Sequence, residues 1–134
     1  MNCQKYGRLY TWEAAQRGCS LLGKGWHLPS TTEWNTLLKH FGRAFEEPIS
    51  DGKNAFEKLL RTEKSAFGVT LGGNRNTDGT YSRIEAHGFY WTSTLFDDSS
   101  AGFLNFANGK KVLFLQPDME KKRAISVRCI KNSQ

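Results

Sequence analysis

The stretch Gly25-Trp26-His27-Leu28-Pro29-Ser30-Thr31-Thr32-Glu33-Trp34 marks the start of a helix. Ser30 has the side chain that an N-cap needs, and Glu33, three residues later, can reach back to the Ser30 amide and complete a capping box. Two tryptophans bracket this start, so we expect the helix entry to be held in a hydrophobic core. The predicted helix runs from about Thr31 to Phe41, and Gly42 suits its C-terminal end.

Outward from this stretch, the pattern places helices early in the chain and strands late. Thr11 is expected to cap a helix that reaches about Arg17 and ends at Gly18. A strand is predicted before it at 6–10, a third helix at 52–61, and further strands at 67–71, 89–95, 102–107, 111–116 and 124–131. Asn108-Gly109 between two strands predicts a two-residue type I′ hairpin turn. This order indicates an α+β fold rather than repeated βαβ units.

Length and charge limit the classes of protein that the chain can represent. The 134 residues fit a single domain, 1–134, which can bury a core without metal ions. The net charge is +6, but the densest basic groups, Lys110-Lys111 and Lys121-Lys122-Arg123, flank predicted turns. No nucleic-acid-binding motif accompanies them, so we predict solvated turn charges and no nucleic-acid partner.

The three cysteines, Cys3, Cys19 and Cys129, are too widely spaced for a CxxC metal or redox motif. A bridge between Cys19 and Cys129 would close almost the whole domain and restrict the unfolded chain strongly. The alternative is two buried free thiols in a cytosolic protein. Spacing favours the bridge, and Cys3 is then left without a partner in the chain.

Several segments, in this order along the chain, resemble the Fibrobacter succinogenes major paralogous domain family. In the first half they are 6–15 (YGRLYTWEAA), Cys19, 25–30 (GWHLPS) and Glu33-Trp34. In the second half they are 72–79 (GGNRNTDG), 90–94 (YWTST) and 126–131 (SVRCIK). The resemblance therefore extends over nearly the whole chain.

The resemblance implies a C-type-lectin-like fold with two to three helices early and a twisted, mainly antiparallel sheet late. In that fold a cysteine at the end of the first helix pairs with one in the final strand, which implies a Cys19–Cys129 disulfide. Family members are typical of secreted or surface lipoproteins of Bacteroidetes and Fibrobacteres. An extracytoplasmic location is therefore implied, with membrane contact only through a lipid anchor outside this chain. The family also implies an upstream segment, so we expect an N-terminally truncated domain in which Cys3 has lost its partner.

Catalytic patterns are scarce, so we predict a protein that is not an enzyme and needs no cofactor. His27, His40 and His87 form no HxH or HExxH spacing, which argues against zinc. The sequence contains no Gly-x-Ser-x-Gly nucleophile elbow. Formylglycine-generating enzymes share the implied fold but use cysteines late in the chain, and this chain has none between 19 and 129. An enzyme of unknown type is the less favoured alternative.

Two segments raise the question of calcium. Gln116-Pro117-Asp118 is similar to the tripeptide of galactose-selective C-type lectins, but the accompanying Trp-Asn-Asp segment is missing, so we expect a Pro-Asp turn. Residues 74–85 fit the spacing of an EF-hand loop, which takes its oxygen ligands at fixed positions. Helical flanks are missing, so we predict an Asx-turn loop and no metal, with a weaker calcium alternative at Asn74, Asn76, Asp78 and Glu85.

In the implied fold, ligands usually meet the loops and strands of the second half. The candidate ligand-binding residues are therefore Arg75, Asn76, Asp78, Tyr81, Phe96, Asp97, Asp98, Phe103, Asn105 and Asn108. Aromatic side chains with Asn and Asp suit a glycan or a surface protein, and the alternative is core aromatics with polar turns. We predict an extracytoplasmic, non-catalytic binding module for one of these partners. The alternative function is a structural or assembly module of a bacterial surface lipoprotein.

Overall fold

A computed structural model describes residues 7–40, 69–109 and 112–132, which hold two helices and seven strands. The elements are α1 (Trp12–Ser20), β1 (Trp26–His27), α2 (Thr31–His40), β2 (Asn74–Arg75), β3 (Tyr81–Ser82), β4 (His87–Leu95), β5 (Ser100–Ala107), β6 (Val112–Glu120) and β7 (Ile130–Lys131). All pairings between these strands are antiparallel. The predicted α+β class is therefore confirmed, whereas the third helix predicted at 52–61 lies outside the described residues.

Helix α1 begins as predicted but ends later. The Thr11 hydroxyl accepts a hydrogen bond from the Ala14 amide at 3.4 Å and caps the helix. The helix then continues through Gly18 to Ser20, so the prediction that Gly18 ends it is wrong. Glycine costs only about 1 kcal/mol within a helix, and burial of Cys19 in the core outweighs that cost.

Helix α2 begins with the predicted capping box. The Ser30 hydroxyl accepts from the Glu33 amide at 3.1 Å, and the Glu33 carboxylate accepts from the Ser30 amide at 2.9 Å. Trp34, one residue further, is buried in the core. The helix start is thus held both by local capping and by tertiary packing.

The central sheet has the strand order β4-β5-β6 and is packed on both faces. One face contributes Tyr90, Leu104, Phe106 and Leu113 to a core with Trp34, Val69 and Leu71. The other face contributes Phe89, Trp91, Ala101, Phe103 and Met119 to a core with Ala15, Cys19, Leu28 and Ile125. Alternate residues of each strand therefore enter different cores.

The connection between β5 and β6 differs from the predicted type I′ turn. Ala107 pairs with Val112, so the connection spans four residues, 108–111. Neither Asn108 nor Gly109 has the positive φ that a type I′ turn requires. The observed register places Leu113 opposite the buried Phe106, whereas a two-residue turn would place a lysine there.

Gln116-Pro117-Asp118 does not form the predicted turn, because it lies within β6. Ala101 pairs with Met119 and Phe103 with Gln116, so the Pro-Asp pair stands opposite Gly102 alone. This is a β-bulge, where proline is tolerated because its missing N–H breaks no ladder bond. The prediction was wrong because strand pairing decided the conformation.

Long-range ties close the fold. Cys19 of α1 and Cys129 form a disulfide, as the family resemblance implied. β1 pairs with β7, and Tyr10 forms an isolated bridge with Ile125. Of the strand predicted at 6–10, the described residues 7–9 are not in a strand. Within the part of the chain that the structure describes, no helix is both long and apolar enough to cross a membrane.

Candidate functional site

The predicted ligand-binding residues lie in four separate places, and two of them, Phe103 and Asn105, lie within β5. Arg75, Asn76, Asp78 and Tyr81 belong to the β2–β3 hairpin, and Phe96, Asp97 and Asp98 form the turn between β4 and β5. Asn108 follows the other end of β5, which is about 26 Å long at 3.3 Å per residue. The structure therefore does not bring the predicted set together.

A groove lies where the central sheet meets the β2–β3 hairpin. Its volume is about 290 Å³, and it contains the predicted candidates Phe103 and Asn105 together with the proposed calcium ligand Asn74. The other lining residues are Arg83, His87, Phe89, Asp118, Met119, Glu120 and Arg123. We call this cavity the groove, and it is the candidate site.

Stacked and edge-packed rings form the floor of the groove. His87 stacks on Phe89 with the ring centroids 5.1 Å apart and the planes 5° from parallel. Phe89 meets Phe103 edge-on at 5.8 Å. Phe103 is only 7% exposed, so it supports the floor from the core and offers little surface of its own.

A row of polar side chains crosses the three strands over this floor. His87 Nδ1 lies 2.7 Å from Asn105 Oδ1, and Asn105 Nδ2 donates to Gln116 Oε1 at 2.8 Å. An amide oxygen can only accept, so Nδ1 of His87 carries the proton in this network. Among the described residues Nε2 of His87 has no hydrogen-bond partner, and in the neutral imidazole it keeps a lone pair that can accept a hydrogen bond. In that form the row presents an acceptor that the sheet holds in position.

Arg83 reaches the groove from a turn of unusual conformation. Arg83 and Glu85 have φ values of 64° and 65°, in the left-handed region that non-glycine residues rarely adopt. The backbone of this turn passes directly over Gly73, where an added Cβ would lie 2.2 Å from the Ser82 carbonyl oxygen. Arg83 Nη1 donates to Asn74 Oδ1 at 3.0 Å. Tertiary packing on Gly73 thus sets the position of this guanidinium.

The remaining charges of the groove come from β6 and the turn after it. Arg123 Nε lies 3.4 Å from Glu120 Oε1 and forms an ion pair with it. Asp118 and Glu120 are both exposed to solvent. The groove therefore holds two guanidinium groups and two carboxylates, with one of each paired.

Three residues of the weak calcium candidate, Asn74, Asn76 and Asp78, already have hydrogen-bond partners within the protein. Asn74 Nδ2 donates to Asn76 Oδ1 at 2.7 Å, and Asp78 Oδ1 accepts from the Thr80 amide at 2.9 Å. The second bond is the predicted Asx turn. Hydrogen bonds from the Thr80 hydroxyl and then from its amide lower the pKa of Asp78. A calcium ion at Asn74 Oδ1 would have to displace the Arg83 guanidinium.

Other predicted candidates support turns. Asp97 Oδ1 accepts from the Ser99 amide at 2.9 Å, and this bond lowers the pKa of Asp97. Asn108 Nδ2 donates to the Glu85 carbonyl at 3.0 Å. Tyr81 is 72% exposed and lies under the Arg75 guanidinium, and Phe96 is 58% exposed.

Over the described residues, no group of three or more His, Cys, Asp or Glu side chains could hold a metal ion.

The sequence patterns did not indicate His87, Arg83 or Arg123 as site residues. For His87 a signal exists, since His87, Phe89 and Trp91 alternate along one strand and must share a face. For Arg83 we find no local signal, because its left-handed conformation depends on a contact with Gly73. The site was thus detectable only in part from strand periodicity.

The fold and the groove define a small, disulfide-closed α+β domain with a polar cleft on its sheet. The family model of the Fibrobacter succinogenes major domain matches residues 1–131, and the chain belongs to this family. The resemblance drawn from the sequence segments is thereby confirmed. A search of curated proteins and a search of solved structures each found no match.

Proposed function

We propose that this domain is a non-catalytic binding module that acts outside the cytoplasm and holds part of a glycan in the groove. The observation that carries the proposal is the hydrogen-bonded row of His87, Asn105 and Gln116, in which His87 and Asn105 line the groove and Gln116 orients Asn105. Sugars offer hydroxyl groups that bind planar polar side chains of fixed orientation. Phe89 is only 5% exposed and lies beneath the His87 ring, so it supports these side chains from below. The strands hold these groups more rigidly than loops would.

The composition of the groove supports binding more than catalysis. Its lining, over the described residues, contains no serine, threonine or cysteine nucleophile. Asp118 and Glu120 are two carboxylates, but both are exposed, whereas a catalytic acid usually depends on an apolar surrounding. Glu120 is also engaged by Arg123.

The Cys19–Cys129 disulfide supports the proposed extracytoplasmic location, because such bonds persist in oxidising compartments. The same bond joins the first helix to the end of the chain, as the C-type-lectin-like fold requires. The pairing of β1 with β7 adds a second tie between the two ends of the domain. We therefore propose the lectin-like fold together with the function.

A glycan array, printed with neutral, acidic and amino-sugar glycans, tests this function. The wild-type domain is expected to bind a defined subset of glycans, equally with calcium and with a chelator. Asn105→Ala removes the centre of the polar row and is expected to lose that binding. Asn132→Ala makes the same change at an exposed position just after β7 and is expected to keep it. Absence of binding by the wild-type domain to any glycan on the array would contradict the proposal.

A second candidate, an assembly module, is favoured by the far end of the sheet. Leu95 and Phe96 are adjacent and 53% and 58% exposed. Exposed apolar side chains of this kind often mark contacts with proteins. This alternative would be favoured if the wild-type domain binds no glycan on the array but retains a stable protein partner in a pull-down. The Phe96→Ser variant is then expected to lose that partner.

A further inference from the structure

We infer that the groove is built for a neutral, hydroxyl-bearing sugar ring, and that it discriminates against acidic and amino sugars. This inference rests on the proposed function and names the ligand class of the same site. Its evidence is the distribution of charge and of hydrogen-bonding capacity among the lining residues. Neither depends on which glycan the ring belongs to.

The groove is charge-balanced although the chain is basic. The whole chain carries a formal charge of +6, but the groove contains the guanidiniums of Arg83 and Arg123 and the carboxylates of Asp118 and Glu120. These four charges cancel. A site for an acidic sugar would be expected to use the surplus of cations, and this site does not.

The charges are also arranged so that neither sign dominates locally. Arg123 is already paired with Glu120 at 3.4 Å. One N–H group of Arg83 donates to Asn74 Oδ1 at 3.0 Å. Asp118 lies on β6, whereas Arg83 lies in the turn after β3. A ligand carboxylate would share the groove with two carboxylates, and a ligand ammonium with two guanidiniums. Either charge would lose its hydration without a surplus of opposite charge to replace it.

A hydroxyl group matches this lining because it both donates and accepts. It can accept from those N–H groups of Arg83 that have no partner among the described residues, and it can donate to Asp118. The Nδ1 bond to Asn105 orients the His87 ring, and in the neutral imidazole Nε2 needs a donor, which a hydroxyl supplies. The volume of about 290 Å³ lies just below the range of about 300 to 1,000 Å³ that is typical of pockets for drug-sized ligands. One sugar ring, or the terminal ring of a longer glycan, is the size that fits.

Two series of monosaccharides test the inference directly. They are galactose, galacturonic acid and galactosamine, and glucose, glucuronic acid and glucosamine, each titrated into the wild-type domain and followed by amide chemical shifts. In at least one series the neutral member is expected to bind at least tenfold more tightly than both charged members. A charged member that binds as tightly as the neutral one, or no binding by any of the six sugars, overturns the inference.

Variants separate this inference from the proposed function. Arg83→Asn removes one cation, and asparagine tolerates the left-handed backbone, so the preference is expected to shift toward the amino sugar. Asp118→Asn is expected to shift it toward the uronic acid, and Asn132→Ala to leave it unchanged. Unchanged ratios in both charge variants overturn the inference while glycan binding on the array keeps the proposed function. Absence of binding by the wild-type domain to every glycan on the array overturns the proposed function itself.

Discussion

The imidazole of His27 lies between two acceptors, the Gly25 carbonyl and the Glu33 carboxylate. Nδ1 is 3.1 Å from the carbonyl oxygen, and Nε2 is 2.9 Å from Glu33 Oε2. Because both partners can only accept, both ring nitrogens must carry a proton for the two bonds to form. Glu33 is also the capping-box residue of α2, so a charged histidine ties strand β1 to the start of that helix.

Stability is expected to depend on pH through this pair. The hydrogen bond to Glu33 raises the pKa of His27 above its ordinary 6.5, so its contribution is complete below pH 6.5 and is lost as the pH rises through the folded-state value. Burial raises the pKa of Glu33, but bonds from Ser30 and His27 outweigh it and lower the pKa below 4.5. The Glu33 contribution is therefore present above pH 4.5 and is lost as the pH falls through the folded value.

Denaturant unfolding between pH 4 and 9 measures this dependence. The side chains of His27 and Glu33 are 33% and 39% exposed, so we expect a loss of less than about 1 kcal/mol on the alkaline side. His27→Gln, which cannot be protonated, is expected to flatten that side of the profile. An alkaline profile that is identical in the wild type and in His27→Gln would refute the role of the pair.

From the capping box we predict how much the Ser30 hydroxyl contributes to the free energy of unfolding. Ser30→Ala removes the acceptor of the Glu33 amide, and loss of such a cap costs about 1 kcal/mol. Thr32→Ala, an exposed position in the first turn of the same helix, is expected to change the free energy of unfolding by less than about 0.5 kcal/mol. Equal effects in the two variants would show that the Ser30 hydroxyl does not cap α2.

The disulfide is expected to be a large contributor to stability. Cys19 and Cys129 are separated by 110 residues, and cross-links of this span stabilise by about 2 to 5 kcal/mol, mainly by restricting the unfolded chain. Denaturant unfolding of a Cys3→Ser protein, with and without a reducing agent, measures the difference in free energy. A reduced protein as stable as the oxidised one would contradict the expectation.

Gly73 is expected to tolerate no side chain. Its φ is +66°, and an added Cβ would lie 2.2 Å from the Ser82 carbonyl oxygen. Gly73→Ala should therefore lower the free energy of unfolding by roughly 2 kcal/mol or more. Gly109 has no heavy atom within 4 Å of an added Cβ, so Gly109→Ala is the control and should be neutral or stabilising by up to about 1 kcal/mol. Equal stability of the two variants would refute the close packing of the 82–84 backbone on Gly73.

Local rules predicted the helix starts but not the helix ends or the turns. Thr11 and Ser30 cap their helices because a cap involves residues only three apart. The end of α1 passes Gly18 because Cys19 is held by a residue 110 positions away. The segment at 116–118 extends through β6 because its partner strand, β5, imposes the register.

The candidate site shows the same division. The sequence named Phe103 and Asn105 from their place in the second half of the chain, and the structure puts both in the groove. It also named Phe96, Asp97 and Asp98, which form the turn before β5 and are not among the residues that line the groove. Position along the chain therefore indicated the correct part of the sheet but not which of its residues line a cleft.

The sequence by itself determined the α+β class, the family and the two helix starts, because each rests on short-range patterns that folding leaves intact. Only the tertiary structure decided the groove. His87, Asn105 and Gln116 are 18 and 11 residues apart and meet through strand register. Arg83 lines the same groove from the turn after β3, whose backbone passes closely over Gly73. Such juxtapositions depend on how distant segments pair, and no local pattern encodes that pairing.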